Sequence, residues 1–316
     1  MEAGGDTVNR KAMIPLLSTF VLWGSLYIVS KIALRTIPPV TLLALRYLVS
    51  IPALLAILSL RGALRKPSAR ELRQIAVIGL TGYCASFCLQ MLGINALSGS
   101  VSSLLGAMNP IFIPVLAALF LKERMTRARV LCVAVSMAGV AAIVGVGGTV
   151  SAPGVALMLG SVFLWSAASV LIRRLGGRLD PMQVAMTAML FALPPTGLFS
   201  LIELRGAAFS LTKESALAVL YMGLMGTAAA HSLWNYSLSK MDAGFCSMFY
   251  PLQPLVSAAL GVLLLGERVT AGFVLGGALI CCGIVAAVRS GRHKEDGVSV
   301  TSVTVGGLKS LKKNGG

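Results

Sequence analysis

One stretch of this chain occurs twice, and the duplication constrains the fold more than any other feature. NPIFIPVLAALFLKERMT at 109–126 matches QPLVSAALGVLLLGERVT at 253–270, at an offset of 144 residues. Each copy is an apolar run of helical length with proline at its second position and Glu-Arg-x-Thr at its end. A self-match at this separation is the signature of a repeat architecture, so the chain divides into two equivalent halves.

The composition decides the environment of the chain. Hydrophobic residues make up 56% of it and charged residues 12%, against about 25% charge in a soluble domain. Too few polar groups are present to cover a water-exposed surface, so we predict a polytopic membrane protein. The net charge is +16, and we assign it to the loops, where Lys and Arg determine how the helices are oriented in the membrane. The expected partner is therefore the lipid bilayer, and nucleic acid is not a partner.

We predict an all-α fold of ten transmembrane helices, because ten apolar runs approach the ~20 residues that span a bilayer. The runs lack the alternation of a membrane β-barrel. They cover 12–35, 39–60, 74–97, 100–121, 130–148, 153–172, 181–204, 216–238, 244–265 and 271–288. We divide the chain into an N-terminal segment at 1–11, one five-helix repeat at 12–148, a second at 153–288, and a basic tail at 289–316 whose composition predicts disorder.

The distribution of positive charge predicts the orientation. With a cytoplasmic N-terminus, 21 of the 27 Lys and Arg residues fall in inner segments, so both termini are predicted to be cytoplasmic. An odd number of helices per half inverts the second half. The strongly basic loop at 122–129 is then inside, and its equivalent at 266–273, with one Arg, is outside. Inverted repeats around a midplane site are a construction used for alternating access.

Further repeat matches accompany the doubled stretch, with small drifts in offset. They pair Trp23 with Trp165 and Pro39 with Pro181 at 142, Gly82 with Gly223 and Gln90 with His231 at 141, and Gly139 with Gly283 at 144.

These features together resemble a known family. The chain is similar, over roughly residues 13–288, to EamA-type members of the drug/metabolite transporter superfamily. The resemblance implies transport of small metabolites, often amino-acid or drug export, without an ATP-binding module or cofactor. Arg46 aligns with Ala188 in the second half, so a strictly symmetric site is not expected. The motifs that carry the resemblance are Trp23-Gly24-Ser25, Lys31, Arg46, Ala96-Leu97…Ser103-Leu104 and the two Glu-Arg-x-Thr loops.

Two cations lie within predicted spans, where charge is expensive and often marks a pathway. Arg46, well inside the second span, is the predicted substrate anchor, because its planar guanidinium fits a carboxylate. Pairing with helix-end carbonyls is the alternative. Lys31 is nearer a helix end, where a long side chain can reach the interface, and it is assigned a structural role.

Aromatic and polar residues supply the remaining predicted binding groups. Trp23, Tyr27 and Lys31 share one helix face at spacings of four; Trp23 and Tyr27 either line a cavity or belong to an interfacial belt. His231 is either a proton relay or a neutral histidine bonded to a backbone carbonyl. The other candidates are Gln90, Asn109, Trp165, Trp234, Asn235, Tyr250 and Gln253.

Carboxylates and prolines are assigned structural roles. Glu123 and Glu267 are predicted to cap the helices that follow them, and Pro110 and Pro254 to free backbone carbonyls near a cavity. All eleven carboxylates map to loops, tails or span ends, which disfavours proton antiport through a buried acid. Two transport mechanisms remain: coupling to protons through His231, and facilitated diffusion.

The cysteines and the absence of catalytic groups argue against an enzyme. All six cysteines lie in apolar runs without His or carboxylate neighbours, as small buried hydrophobes do, so no metal is expected. We expect a transporter of the bacterial cell membrane that moves a small-molecule substrate by alternating access, an amino acid or related zwitterion, with export favoured. Efflux of cationic drugs and a nontransporting receptor or scaffold are the alternatives. A homodimer stays open, although Gly272-x-x-x-Gly276 more often indicates packing within a bundle.

Overall fold

The computed structural model describes residues 10–121, 151–175, 178–241, 243–247, 252–268 and 270–279, with isolated positions besides, and within these residues it is helical and without strands. The helices are α1 (Arg10–Ala33), α2 (Pro39–Leu60), α3 (Ala69–Ile78), α4 (Phe87–Ala96), α5 (Gly99–Gly106), α6 (Asn109–Leu121), α7 (Ala152–Leu175), α8 (Pro181–Glu203), α9 (Lys213–Tyr221), α10 (Ala230–Lys240), α11 (Ala243–Ser247), α12 (Leu252–Leu260) and α13 (271–279). Three π-helical segments continue helices: π1 (Gly79–Ser86), π2 (Met222–Ala229) and π3 (Gly261–Leu265).

Six of the described helical stretches are long and apolar enough to cross a membrane, so the chain is a multi-pass membrane protein. They are 22 to 28 residues long, and shorter apolar helices at Gly99–Ile113 and Leu252–Leu265 accompany them. The predicted fifth span at 130–148, apart from isolated positions, Glu123 and the tail at 289–316 lie outside the described residues.

Local sequence explains where several helices begin. Ser68 and Glu71 form a capping box, in which Ser68 N donates to the Glu71 carboxylate at 2.8 Å. This box starts α3 at residue 69, five residues before the predicted start at 74. Asp180 caps α8 by accepting from Met182 N at 2.8 Å. Polar residues at the membrane boundary thus lengthen the helices beyond their apolar runs.

Two of the predicted spans, 100–121 and 244–265, are each interrupted by a turn. Helix ends at Gly106 and resumes at Asn109 in the first repeat, and it ends at Ser247 and resumes at Leu252 in the second. Pro110 and Pro254 lie in the first turn of the resumed helices, where the missing N–H is tolerated. A proline there opposes helix through the preceding turn, which accounts for both breaks.

The structure corrects part of the repeat alignment. The stretches Ala69–Ala96 and Lys213–Lys240 correspond at an offset of 144 at both ends, with π1 and π2 near their centres. A Cβ added to Gly79 would lie 2.5 Å from the carbonyl oxygen of Ala188, and one added to Gly223 would lie 3.2 Å from that of Arg46. Gly79, and not Gly82, is therefore the partner of Gly223. By the same offset His231 pairs with Phe87, and not with Gln90. A slip of three residues keeps nearly the same helix face, so the sequence could not detect it.

Each repeat packs mainly against the other. α2 crosses α8, its own repeat equivalent, and α1 packs on α10 and α12 just as α7 packs on α4 and α6. Gly272 and Gly276 are both buried within the chain, so this small-residue pair packs inside the bundle and gives a homodimer no support.

Loop contacts place repeat-equivalent loops at opposite ends of α2. Before α2, Ser210 N donates to Thr36 O at 2.9 Å, and Thr41 N donates to the Glu203 carboxylate at 2.8 Å. After α2, Gln183 and Arg65 exchange hydrogen bonds of 3.2 and 2.5 Å. The 22 residues of α2 separate the two ends by roughly 33 Å.

Candidate functional site

A cavity lies between the two repeats at the level of the helix breaks. Measured as the space open to the centres of water molecules, it is about 40 Å³. That is enough for water but well below the roughly 300 Å³ at which small-molecule pockets begin. Nine of the eleven predicted binding residues line it: Trp23, Tyr27, Arg46, Gln90, Asn109, Trp165, His231, Tyr250 and Gln253.

Repeat-equivalent residues line the cavity in pairs. Because the helices break beside the prolines, Gly106 and Asn109 reach it from one repeat, and Tyr250 and Gln253 reach it from the other. Trp23 with Trp165 and Phe87 with His231 complete four such pairs. Discontinuous helices that meet at a repeat interface are where transporters bind their substrates.

Arg46 is the cationic group of the cavity. It is 1% exposed, and its Nε and Nη2 donate to Thr227 Oγ1 at 3.0 and 2.8 Å. Nη1 approaches Met91 Sδ at 3.8 Å. No carboxylate within the described residues lies at ion-pair distance from it; the ion pair found there joins Arg65 and Glu71 at 3.9 Å. A buried charge held by neutral acceptors alone is costly, so Arg46 is suited to receive an anionic group. Among the described residues it makes no hydrogen bond to a helix-end carbonyl.

His231 stands inside a ring of aromatic side chains. Its imidazole centroid is 5.2 to 5.4 Å from those of Trp23, Trp165, Tyr83 and Phe87. Nδ1 lies 2.9 Å from Thr227 O. A carbonyl can only accept, so Nδ1 carries hydrogen and Nε2 is the acceptor of the neutral ring. This geometry is that of the neutral histidine bonded to a backbone carbonyl.

Three cavity residues present buried polar atoms without a hydrogen-bond partner among the described residues. They are Trp23 Nε1, His231 Nε2 and Gln253 Oε1. Buried polar groups are normally satisfied, and leaving one unpaired costs about 1–3 kcal/mol. The cavity therefore offers one N–H donor and two acceptors to a guest.

Other cavity groups are already bonded and shape the walls. Gln90 Nε2 donates to the Tyr27 hydroxyl at 3.3 Å, Trp165 Nε1 donates to the Tyr250 hydroxyl at 2.9 Å, and Asn109 Oδ1 accepts from Ser166 at 2.8 Å.

Two predicted binding residues lie outside the lining. Trp234 is fully buried and packs against Phe20, Trp23 and Tyr250, behind the cavity wall. Asn235 Nδ2 donates to Pro181 O at 3.2 Å. Both lie on the same face of α10 as His231 but about one turn farther along the helix, beyond the residues that line the cavity.

Lys31 and Glu267, which were predicted to be structural, both lie at helix ends. Lys31 Nζ donates to the carbonyls of Ile94 at 3.1 Å and Asn95 at 3.4 Å, at the end of α4. Glu267 does not cap the helix that follows it. Its carboxylate accepts from Gly99 N at 2.7 Å and from Ser100 N at 3.1 Å, so it caps α5 of the other repeat.

The sequence analysis missed Thr227, Phe87 and Met91, which hold Arg46 or line the cavity. Threonine, phenylalanine and methionine are ordinary in membrane helices. Only the offset of 144, applied to His231, would have indicated Phe87. Within the described residues, no cluster of His, Cys, Asp or Glu could hold a metal.

The fold and the cavity define a class: a membrane-embedded helical bundle of two repeats, with broken helices around an intramembrane cation, which is the construction of secondary transporters. Comparison with known proteins agrees. The EamA-like transporter family matches residues 10–145 and 152–289. The chain belongs to this family and contains its domain twice, and the family and the names of its relatives indicate a transporter of the drug/metabolite type rather than an enzyme.

Several named relatives are similar over most of their length. A "Probable terminal-alkyne amino-acid exporter" of Streptantibioticus cattleyicolor is 31% identical over 90% of this chain and 96% of its own. A "Probable amino-acid metabolite efflux pump" of Escherichia coli is 25% identical over 88% and 94%. An "Uncharacterized transporter" of Archaeoglobus fulgidus is 25% identical over 88% and 99%. A crystal structure at 21% identity superposes with a TM-score of 0.68 over 90% of this chain and 99% of the other, which shows a shared fold.

Proposed function

We propose that this protein is a secondary transporter of the bacterial cell membrane that exports a small zwitterion of the amino-acid class by alternating access. The observation that carries the proposal is Arg46, buried in the central cavity without an anionic partner among the described residues. A guanidinium in that setting favours a ligand with a carboxylate, which would form the charge-assisted pair that Thr227 cannot supply.

Other groups of the same cavity suit an ammonium group. His231 Nε2 and Gln253 Oε1 are unpartnered acceptors among the described residues, and the aromatic rings of Trp23 and Trp165 attract a cation. A zwitterion would use both Arg46 and these groups. The names of the relatives from Streptantibioticus and Escherichia point to the same class of substrate.

Ten spans in two inverted repeats, with both termini cytoplasmic, are the topology that we propose. The charge distribution supports it, as does the placement of the loops: Thr36 meets Ser210 at one end of α2, whereas Arg65 meets Gln183 at the other. A central cavity of about 40 Å³ must widen to admit an amino acid, and rocking of one repeat against the other would widen it towards either face.

The alternatives are less well supported. A cationic drug would meet the charge of Arg46 in a cavity with no carboxylate among the described residues. A nontransporting scaffold gives no reason for unpartnered polar atoms around an intramembrane cavity.

The test is efflux from proteoliposomes loaded with the twenty protein amino acids and, separately, with the corresponding decarboxylated amines, both followed by mass spectrometry. We expect the wild type to release at least one amino acid and none of the amines. Arg46→Gln should lower that release at least tenfold, and Arg46→Lys should recover part of it, because the charge remains but the bidentate geometry does not.

Arg205→Gln, an exposed loop variant, is the matched control and should behave as the wild type. Equal release of amino acids by Arg46→Gln and the wild type would remove Arg46 from the mechanism. Release of amines alone would replace the zwitterion by a cation.

A further inference from the structure

A second and wider pocket opens at the C-terminal end of α1, next to the central cavity. On the same measure it is about 510 Å³, and its lining includes Lys31, Arg35, Asn95 and Glu267. We call this pocket the vestibule. Ser30 and Ile94 line the central cavity, while their sequence neighbours Lys31 and Asn95 line the vestibule. The two spaces are thus one residue apart along both α1 and α4.

The Lys31 side chain lies beside the boundary between the two spaces. Its ammonium group is bonded to two neutral carbonyl oxygens, those of Ile94 at 3.1 Å and Asn95 at 3.4 Å. Partial negative charge at the end of α4 makes this a favourable resting place for a cation. Carboxylate oxygens bind an ammonium group more strongly than neutral carbonyls do, so an incoming carboxylate can take their place.

The vestibule has an excess of positive charge. Lys31 and Arg35 contribute two cations, and Arg35 is exposed. Glu267 contributes one carboxylate, but Gly99 N and Ser100 N and hydroxyl already donate to its oxygens. A carboxylate that enters the vestibule therefore meets two cations and an acid whose oxygens are occupied.

One face of α1 joins the vestibule to the central cavity. Trp23 and Tyr27 line the cavity and Lys31 lines the vestibule, and these three residues of α1 follow one another at spacings of four. Residues at this spacing share a helix face, so a compound that moves along α1 stays in contact with one stripe of side chains, and it meets Arg35 of the vestibule in the turn after α1.

We propose that the vestibule is a second binding site, for the carboxylate of the transported compound as it passes the central cavity, with Lys31 as the principal ligand and Arg35 as the second. The proposal rests on the proposed function for the identity of that compound. Lys31 would release its bonds to the end of α4 in order to bind the carboxylate, which also opens the boundary between the two spaces.

The first experiment measures anion attraction without requiring transport. The variant Ala96→Cys carries a cysteine on the vestibule wall. It is labelled with two methanethiosulfonates, one with an anionic sulfonate group and one with a cationic trimethylammonium group. Peptide mass spectrometry measures the labelling at residue 96 separately from that at the native cysteines. We expect Lys31→Gln and Arg35→Gln each to lower the ratio of anionic to cationic labelling about threefold. Lys31→Arg should preserve the ratio, and Lys213→Gln, another exposed lysine, should not change it.

A cysteine outside the vestibule provides the second control. Ala208→Cys lies in an exposed loop, and its labelling ratio should be insensitive to Lys31→Gln. If the ratio at Ala96→Cys is equally insensitive in both Lys31→Gln and Arg35→Gln, the vestibule is not an anion site and the proposal is overturned. Arg35 is exposed, so its variant tests the proposal even if Lys31→Gln fails to fold.

The second experiment identifies the source of the anion, since a lipid phosphate shares the oxyanion chemistry of a carboxylate. In phosphatidylcholine vesicles, the mixture of twenty amino acids should slow anionic labelling of Ala96→Cys at least twofold. Slowing by added phosphatidylglycerol but not by the amino acids would make a lipid headgroup the occupant and overturn the proposal. Protection by neither would also overturn it.

Efflux separates this inference from the proposed function. We expect Lys31→Gln to lower amino-acid release about threefold or more, while the amino acids still raise the melting temperature through the central cavity. Release equal to that of the wild type would contradict a role for Lys31. A wild type that releases none of the amino acids contradicts the proposed function instead, and the labelling ratio still decides whether the vestibule attracts anions.

Discussion

At the scale of single residues, Arg46 depends on one neutral acceptor. Thr227 Oγ1 accepts from both Nε and Nη2, and Thr227 O accepts from His231 Nδ1. One residue of π2 thereby orients both the cation and the imidazole of the cavity. Through Thr227, a change in the geometry of π2 would move both groups together.

Thr227→Val should therefore destabilise the protein, although valine has nearly the same shape as threonine. Two guanidinium N–H groups lose their acceptor in a buried site, at a cost of about 1–3 kcal/mol. We expect a lower melting temperature in detergent and weaker amino-acid stabilisation. Thr227→Ser keeps the hydroxyl and is the control. A Thr227→Val protein as stable as the wild type would show that the hydroxyl does not hold Arg46.

The small size of Gly106 is needed for the position of Tyr27. A Cβ at residue 106 would overlap the Tyr27 hydroxyl, which accepts from Gln90 Nε2. Gly106→Ala should displace the tyrosine ring, with an overpacking cost of about 1–3 kcal/mol, and slow release from proteoliposomes. Tyr27→Phe removes the atom in conflict, so the double variant should recover part of the stability lost in Gly106→Ala. If the double variant instead lost as much stability as the two single variants together, this contact would be contradicted.

At the scale of elements, π1 and π2 mark where each repeat closely approaches the other. π1 approaches α8, and π2 approaches α2. Gly79, the first residue of π1, approaches α8 at the Ala188 carbonyl, and Gly223 in π2 approaches α2 at Val49 and Arg46. The two approaches are repeat-equivalent. π-helical turns are rare, and they occur most often at functional sites; these two lie beside the cavity.

Gly79→Ala and Gly223→Ala should destabilise the protein by similar amounts. The added Cβ would lie 2.5 Å from Ala188 O in one case and 2.6 Å from Val49 Cγ1 in the other, so helices must separate at a cost of about 1–3 kcal/mol. Gly197→Ala, where nothing lies within 4 Å, should be neutral or slightly stabilising. The three variants are compared by their melting temperatures in detergent. A lower melting temperature for Gly197→Ala alone would contradict the two close approaches.

The sequence predicted the elements that depend on nearby residues. Apolar runs located the described spans, and a charge inside a span singled out Arg46. The spacing of Trp23 and Tyr27 indicated one helix face. It could not predict π1 and π2, which have no signature in composition, or the partner of Glu267, which lies 168 residues away in Gly99. Trp234 and Asn235 were assigned to the cavity because they share a helix face with His231, and the sequence does not show where along that face the cavity ends.

At the scale of the whole molecule, two carboxylates join the repeats near the same end of the bundle. Glu203 at the end of α8 accepts from Val40 N and Thr41 N, and Glu267 accepts from Gly99 N and Ser100 N. Both place negative charge at helix N-termini, where the macrodipole favours it. In the alternating access that we propose, the repeats separate at this end, and polar bonds of this kind suit such a contact because they can be exchanged with water at little cost.

The inverted arrangement that we propose makes a definite prediction about the two faces of the membrane. Lys66 lies in the loop after α2 and Ala208 in the loop after α8, and these loops are repeat-equivalent. In inverted repeats they face opposite sides, because each follows the same helix of an oppositely oriented half. In intact cells, Ala208→Cys should therefore react with a membrane-impermeant maleimide, and Lys66→Cys should react only after permeabilisation. Arg268→Cys, in the loop that caps α5, should react like Ala208→Cys. Labelling of Lys66→Cys and Ala208→Cys from the same face would contradict the inversion, and with it the rocking of one repeat against the other, since two repeats with the same orientation could not exchange inner and outer openings by symmetry.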